Sequence, residues 1–381
     1  MASQLRILLI VDGPYPGFGG TESQVELISG AFLKAGHQVK ILAPALAEDV
    51  SPQDQVGGVQ VERINYPQIK KLGAIILMIK FGFKMLVERN HYDVIHVHMV
   101  KNLAAVLGAI QPLLPSVLAA KISGAWEFDG GLLDPALAHR PLHRLMNHWV
   151  RRFDHIQCIS QYTQERVLAA GYSLPQIMDV PNAVDTEKFN RAGPSLAPYE
   201  GVTVLYAGRL VAVKALDVLL DAWKIVHDEH ASQRPRLLLV GDGPLEAALR
   251  RQAESLGINA SVEFLGRVKD MPGIYKSADI YVQPSYQEGL PNSVMEAMAA
   301  SLPIVGSNIS GNQDLISEGV NGYLVPAGNK LALAKALAAL VGDARKRQCM
   351  GKASVTSITE NYGISTVLQR LCEKYTQKQQ N

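Results

Sequence analysis

The sequence predicts an α/β protein built on two doubly wound, mainly parallel sheets. Three observations point there. Short apolar runs alternate with helical stretches along the whole chain, which argues for parallel strands with helices on both faces. A proline-, asparagine- and glycine-bearing stretch, Val180–Glu200, splits this alternation into two series. With 381 residues the chain is long enough for two separate cores.

Leu5–Val11 is the first strand. It is a short apolar run without a convincing cleavage site, and it leads into a Gly/Pro loop, so a buried strand is expected and not a signal peptide. A helix is expected over Glu22–Ala35, then strands at Gln38–Ala43, Val59–Ile64, Asp93–Val97, Val117–Ile122 and His155–Ile159, and a helix at Tyr162–Ala170. The second series opens at Val202–Gly208 and continues with Arg236–Gly241, Val262–Leu265, Ile280–Gln283, Pro303–Gly306 and Tyr323–Val325. The expected division is a first domain over 1–183, a linker over 184–200 and a second domain over 201–360. A tail over 361–381 carries a last helix at about Thr366–Gln377, which has the option of packing back on the first domain. Two such sheets facing each other would place the carboxyl ends of their strands along one cleft, the edge where open α/β sheets bind ligands.

Composition excludes several classes. A hydrophobic content of 48% with 19% charged residues is that of a globular chain. A net charge of +2 gives no argument for nucleic acid. Cys158, Cys349 and Cys372 are far apart and make no metal-ligand spacing, which fits a reduced, cytosolic setting. There is no D-x-D and no phosphate loop of the G-x-x-x-x-G-K-[ST] kind; Gly351-Lys352-Ala353 lacks the hydroxyl. The loop Asp12–Glu22 is not a dinucleotide fingerprint, and the second strand ends Leu42-Ala43-Pro44 without the acid that would hold a ribose. No cofactor and no metal are therefore expected.

The richest stretch is Gln287–Ala299, which sets Glu288 and Glu296 on either side of a helix start at Pro291. Proline suits a first helical turn, and the N–H groups of Asn292 and Ser293 then have no intrahelical acceptor and suit an anion. Glu288 precedes the helix, whereas Glu296 tilts back toward its start. Two carboxylates around a phosphate-sized positive site match a sugar nucleotide. Gly208-Arg209-Leu210 and Lys214 follow a strand end, where two fixed cations would stabilise a departing diphosphate. Gly241-Asp242-Gly243-Pro244 is a turn that either admits a base or phosphate or serves turn chemistry alone. Backbone groups at Arg267 and Val268 are placed to read a base edge. Gly20, near a helix start, reads equally as a phosphate site or as part of a flexible turn.

Together these motifs resemble the retaining glycosyltransferases of family 4, which have the GT-B fold of two Rossmann-like domains. The resemblance rests on Gly19-Gly20-Thr21-Glu22, Val180-Pro181-Asn182-Ala183-Val184-Asp185, Gly208-Arg209-Leu210 with Lys214, Gly241-Asp242-Gly243-Pro244 and the glutamate pair. The family usually has glycine where this chain has Ala183. By resemblance, Gly20, Arg209, Lys214, Asn292 and Ser293 would contact a donor diphosphate, Val268 the base, Glu296 the ribose and Glu288 the donor sugar. The implied reaction is hexosyl transfer from a nucleoside-diphosphate sugar to a saccharide or lipid-linked saccharide, in cell-surface polysaccharide synthesis. A GT-B epimerase or phosphorylase and a non-catalytic sugar-nucleotide-binding partner are the alternatives.

One departure stands out. Where many relatives carry a loop histidine, this chain reads Ser123–Gly131. Glu127 or Asp129 would there contact the sugar or acceptor, or cap the loop; His96 and His98, ending a neighbouring strand, are the second choice for that side. Finally, Ile69–Glu88 is apolar and carries Lys70, Lys71, Lys80 and Lys84. The lysines interrupt any membrane-spanning run. The segment reads as a core helix with exposed lysines or as a basic helix resting on an anionic membrane, which would make the protein peripheral on the inner face.

Overall fold

A computed structural model describes residues 4–17, 19–45, 51–70, 72–191 and 193–377. It divides into two compact units, the first made of the residues up to Ala183 together with those from Ile364 onward, the second of Val184–Gly363.

The first unit holds an eight-stranded sheet: β1 (Arg6–Val11), β2 (Gln38–Pro44), β3 (Gln53–Val56), β4 (Val59–Ile64), β5 (Val94–His98), β6 (Val117–Lys121), β7 (His155–Cys158) and β8 (Ile177–Asp179). The order is β3-β4-β2-β1-β5-β6-β7-β8. All neighbours are parallel except β3, which runs antiparallel to β4. Alternating residues of β1 enter two cores. Leu8 and Ile10 pack with Phe81 and Leu103 on one face, and Ile7, Leu9 and Val11 with Phe32 and Leu371 on the other. That double burial is why the run reads as continuously apolar and not as alternating.

The second unit holds β9 (Thr203–Ala207), β10 (Arg236–Val240), β11 (Val262–Gly266), β12 (Ile280–Gln283), β13 (Ile304–Ser307) and β14 (Gly322–Val325), all parallel. Its order is β11-β10-β9-β12-β13-β14. In each sheet the chain builds outward one way and then returns to the other side, so the order switches between β1 and β5 in the first and between β9 and β12 in the second. Such switch points open a crevice at the carboxyl ends of the strands.

Two strands escape the sequence pattern. β3 is polar and largely exposed, an edge paired through a turn at Gly57 and Gly58, whose φ angles are +56° and +81°. β8 is only three residues long. The expected linker also differs. Val184 bridges Gly363, the helix Thr186–Arg191 follows, and Phe189 packs edge-on to Tyr275 at 5.6 Å, so this stretch is part of the second unit. The final helix, Ile364–Tyr375, packs on the first unit: Tyr375 stacks on Phe32, and Val367 and Leu371 are buried.

Candidate functional site

The loops at the switch point of the second sheet are layered backbone on backbone. Gly208 N–H donates to Val240 O at 2.9 Å and Leu210 N–H to Asp242 O at 2.8 Å. A Cβ at Gly241, where φ is +123°, would lie 2.0 Å from Gly208 O, and one at Gly243 2.4 Å from Leu210 O. These glycines allow close packing of the loop after β10 on the loop after β9. Arg209 lies exposed on that loop. Arg267 Nε bonds Asp242 Oδ1 at 2.8 Å and ties the loop after β11 to the same layer. Next to it, neither the N–H nor the C=O of Val268 meets a partner among the described residues.

Lys214 closes a short turn, Ala212–Lys214, and the buried Ala215 that follows is held at φ +50°. Its ammonium sits 2.5 Å from Glu288 Oε1. The same oxygen accepts from Gln283 Nε2 at 2.5 Å and Ser285 Oγ at 2.6 Å. Tyr286 N–H donates to Val213 O at 2.8 Å, so the loops after β9 and β12 are joined through backbone as well. Glu288 and Lys214 are mostly buried, at 11% and 16% side-chain exposure, so the pair is screened little by solvent. Behind them Asn312 Nδ2 donates to Ser307 O, and a Cβ at Gly311 would meet Gly289 O at 2.5 Å.

The helix that carries Glu296 begins one residue later than expected. Pro291 is the N-cap, with φ −74° and ψ 112°, and the helix runs Asn292–Ala299. The first residues to bond back are Val294 and Met295, both to Pro291 O. Asn292 and Ser293 therefore hold the positions whose N–H groups point out of the helix end, the favourable end of its dipole for an anion. Glu296 turns into a pocket of tyrosines, where Tyr275 OH donates to Oε2 at 2.9 Å. Burial pushes its carboxyl up to about 7, against the opposing pull of Tyr275 and the Lys188 charge.

Gln283, Ser285, Tyr275 and Lys188 were not singled out by sequence reasoning. The signal that existed was polar Gln283 and Ser285 directly ending a buried apolar strand. Nothing local marked the other two.

In the first unit, Gly20 starts the helix Gly20–Lys34 behind the N-cap Gly19. A Cβ at Gly19 would lie 2.1 Å from Glu22 Oε2, so a carboxylate already rests on this glycine turn. Phe18 lies outside the described residues.

The acceptor-side expectations need correction. His96 and His98 have no solvent exposure. His96 Nδ1 is 2.6 Å from Tyr375 OH under the C-terminal helix, and burial pulls its ring down to about 3 and that of His98 well below the ordinary value. They are interior groups because they sit on the sheet face that the C-terminal helix covers. Glu127 is also fully buried. Its carboxylate accepts from Ser123 N–H at 2.9 Å and Gly124 N–H at 2.8 Å, the loop-capping alternative, and burial pushes it up to about 7. Asp129 is exposed and lies 3.8 Å from Arg166.

The helix Leu72–Val87 buries Leu77, Phe81 and Met85 in the core and leaves Lys80 exposed, as the core-helix reading has it, but it also exposes apolar side chains. Lys80 donates to Asn65 O, and Lys84 pairs with Glu62 and Glu88. Lys71 lies outside the described residues. What faces solvent is an apolar stripe of Ile75, Ile79, Phe83 and Val87, with Phe83 70% exposed. Among the described residues no helix is long and apolar enough to cross a membrane.

Two units, each built on a mainly parallel sheet with a switch point, have the architecture of a GT-B protein. The family models agree: residues 18–188 match "Glycosyltransferase Family 4" and residues 201–343 match "Glycosyl transferases group 1". The chain belongs to the family 4, group 1 glycosyltransferases. It is 27% identical to the phosphatidyl-myo-inositol mannosyltransferase of Mycobacterium leprae, across 97% of this chain and 96% of that protein. It is 25% identical to an Escherichia coli UDP-Gal:alpha-D-GlcNAc-diphosphoundecaprenol alpha-1,3-galactosyltransferase, across 82% and 81%. In fold it is similar to Anabaena Alr3699/HepE, solved in complex with UDP, with a TM-score of 0.78 and 19% identity over 98% of this chain and all of that one.

Proposed function

We propose that this glycosyltransferase moves a hexosyl unit from a nucleoside-diphosphate sugar to a saccharide or lipid-linked saccharide, with retention at the anomeric carbon. The observation that carries the reading is the Lys214 ammonium held on Glu288 beside the Asn292 helix end, all at the carboxyl edge of β9 and β12.

In this reading the donor diphosphate lies at the Asn292–Ser293 helix end, with Lys214 and Arg209 as its cations. Glu296 receives the ribose hydroxyls, the backbone of Val268 the base, and Glu288 the donor sugar. The acceptor hydroxyl attacks the anomeric carbon as the bond to the diphosphate breaks. Charge grows on the leaving oxygen, where a preorganised ammonium stabilises the transition state more than the ground state. The acceptor proton passes to that leaving phosphate on the face of attack, so no protein base is required. This suits a chain whose Glu127 caps its own loop and whose His96 and His98 are fully buried. No resident cofactor is needed for these steps.

The named acceptors of the two relatives, a phosphatidyl-myo-inositol and a sugar on diphosphoundecaprenol, favour a lipid-linked acceptor, and with it a role in cell-surface polysaccharide assembly. The apolar stripe Ile75–Val87 is then the contact with an anionic membrane, on its cytoplasmic face.

A panel of nucleotide sugars screened for protection against thermal unfolding tests the donor half. A ligand at a hundred times its Kd adds about 2.7 kcal/mol. At least one nucleoside-diphosphate sugar should raise Tm; a panel in which none does would contradict the reading.

A further inference from the structure

Trp126 is 39% exposed, in a turn that the rest of its loop holds rigidly. Its neighbour Glu127 is buried and accepts from Ser123 and Gly124. One carboxylate thus fastens the start of the loop after β6 to its turn. Leu133 N–H closes the turn on Glu127 O at 2.9 Å, and a Cβ at Gly131 would lie 2.6 Å from Trp126 O. In the segment after β5, Met99 is a non-glycine residue at φ +77°, the kind of local strain that persists where a particular chain path is required. That path sets Lys101 Nζ over the Trp126 ring, 4.9 Å from its centroid.

β5 flanks the switch point of the first sheet, and β6 is its neighbour. A rigid, exposed indole beside such a crevice presents a flat π-face whose partner is a ring bearing C–H bonds. Lys101 covers one face, and among the described residues no other ring or cation lies against the indole. The carboxylates on this side lie elsewhere: Glu127 caps its own loop and Asp129 is 3.8 Å from Arg166.

We propose that Trp126 is a sugar-stacking platform that binds a pyranose ring of the acceptor, with Lys101 as the positioning residue that holds the indole in place. This rests on the transferase reading above and names the chemistry of its acceptor side.

The test uses the whole chain and methyl glycosides of glucose, galactose, mannose and N-acetylglucosamine as probes, followed by tryptophan fluorescence and saturation-transfer NMR. Trp223 is wholly buried and Trp149 partly buried, so the Trp126 signal is read as the difference between wild type and Trp126→Ala. At least one glycoside should quench the indole and receive saturation on its ring C–H positions. Trp126→Ala should weaken that binding roughly tenfold, the scale of a lost stacking surface, with Trp126→Phe intermediate. Lys101→Met should weaken it less, and Lys101→Arg should restore it, because guanidinium also sits well over an indole. A panel in which no glycoside binds, or binding unchanged in Trp126→Ala, would overturn the proposal. Thermal protection by UDP is measured alongside in every variant. Glycoside binding without UDP protection of the wild type would count against the donor reading and leave the platform standing.

Discussion

Glu288 and Glu296 share a helix start, yet their surroundings give them different chemistry. Glu288 faces an ammonium, an amide and a hydroxyl on a single oxygen. Glu296 sits among tyrosines, and burial lifts it to about 7. The two acids and Lys214 were legible in the sequence because the motif puts them beside a proline-marked helix start. Gln283 and Ser285 were not, because which atoms converge on Glu288 depends on how two separate loops meet. The raised carboxyl has a measurable consequence. Between about pH 4.5 and about pH 7 the folded chain keeps a proton on Glu296 that the unfolded chain has released, so this group's contribution to stability is lost as pH rises through that window. Glu296→Gln lacks this loss. Relative to wild type, its urea midpoint should be higher at about pH 8 than at about pH 5; the same difference at both values would contradict the assigned environment.

At the scale of elements, the loops beyond the strands were easy to locate and harder to interpret. Gly241 stood out as a glycine near a ligand edge, and the coordinates show why glycine is needed there: its Cβ position is occupied by the Gly208 carbonyl. Gly241→Ala is expected to cost at least about 2 kcal/mol, since both the backbone angle and the contact forbid a side chain; thermal unfolding of the variant reads this. The helix Leu72–Val87 shows the opposite limit. Its apolar run was plain, but a run apolar nearly all round has no period to say which side faces out. Only packing reveals that Leu77, Phe81 and Met85 are buried while Ile79 and Phe83 are exposed. If that stripe meets a membrane, the chain should float with anionic vesicles at low salt, and Ile79→Glu with Phe83→Glu should abolish flotation. Failure of the wild type to float would remove the membrane from the account.

For the whole molecule, the alternation of strands and helices made the two-sheet architecture legible. The change of composition after Met178 marked the point near Ala183 where the chain leaves the first unit. What followed was less legible: Val184–Glu200 has the composition of a linker, yet it folds on the second unit through Phe189. The return of the chain at Ile364 is decided by where Val367, Leu371 and Tyr375 find an apolar face, which no local pattern specifies. The burial of His96 and His98 is hidden in the sequence for the same reason, since the helix that covers them is remote along the chain. The central claim is that the second unit carries a donor diphosphate on Lys214. The most direct measurement is turnover of Lys214→Ala with the donor found by thermal protection, beside a circular dichroism check of the fold. The account predicts a fall of about a hundredfold, on the order of 3 kcal/mol of lost transition-state stabilisation, with the fold intact. Turnover near that of the wild type in a folded variant would contradict it.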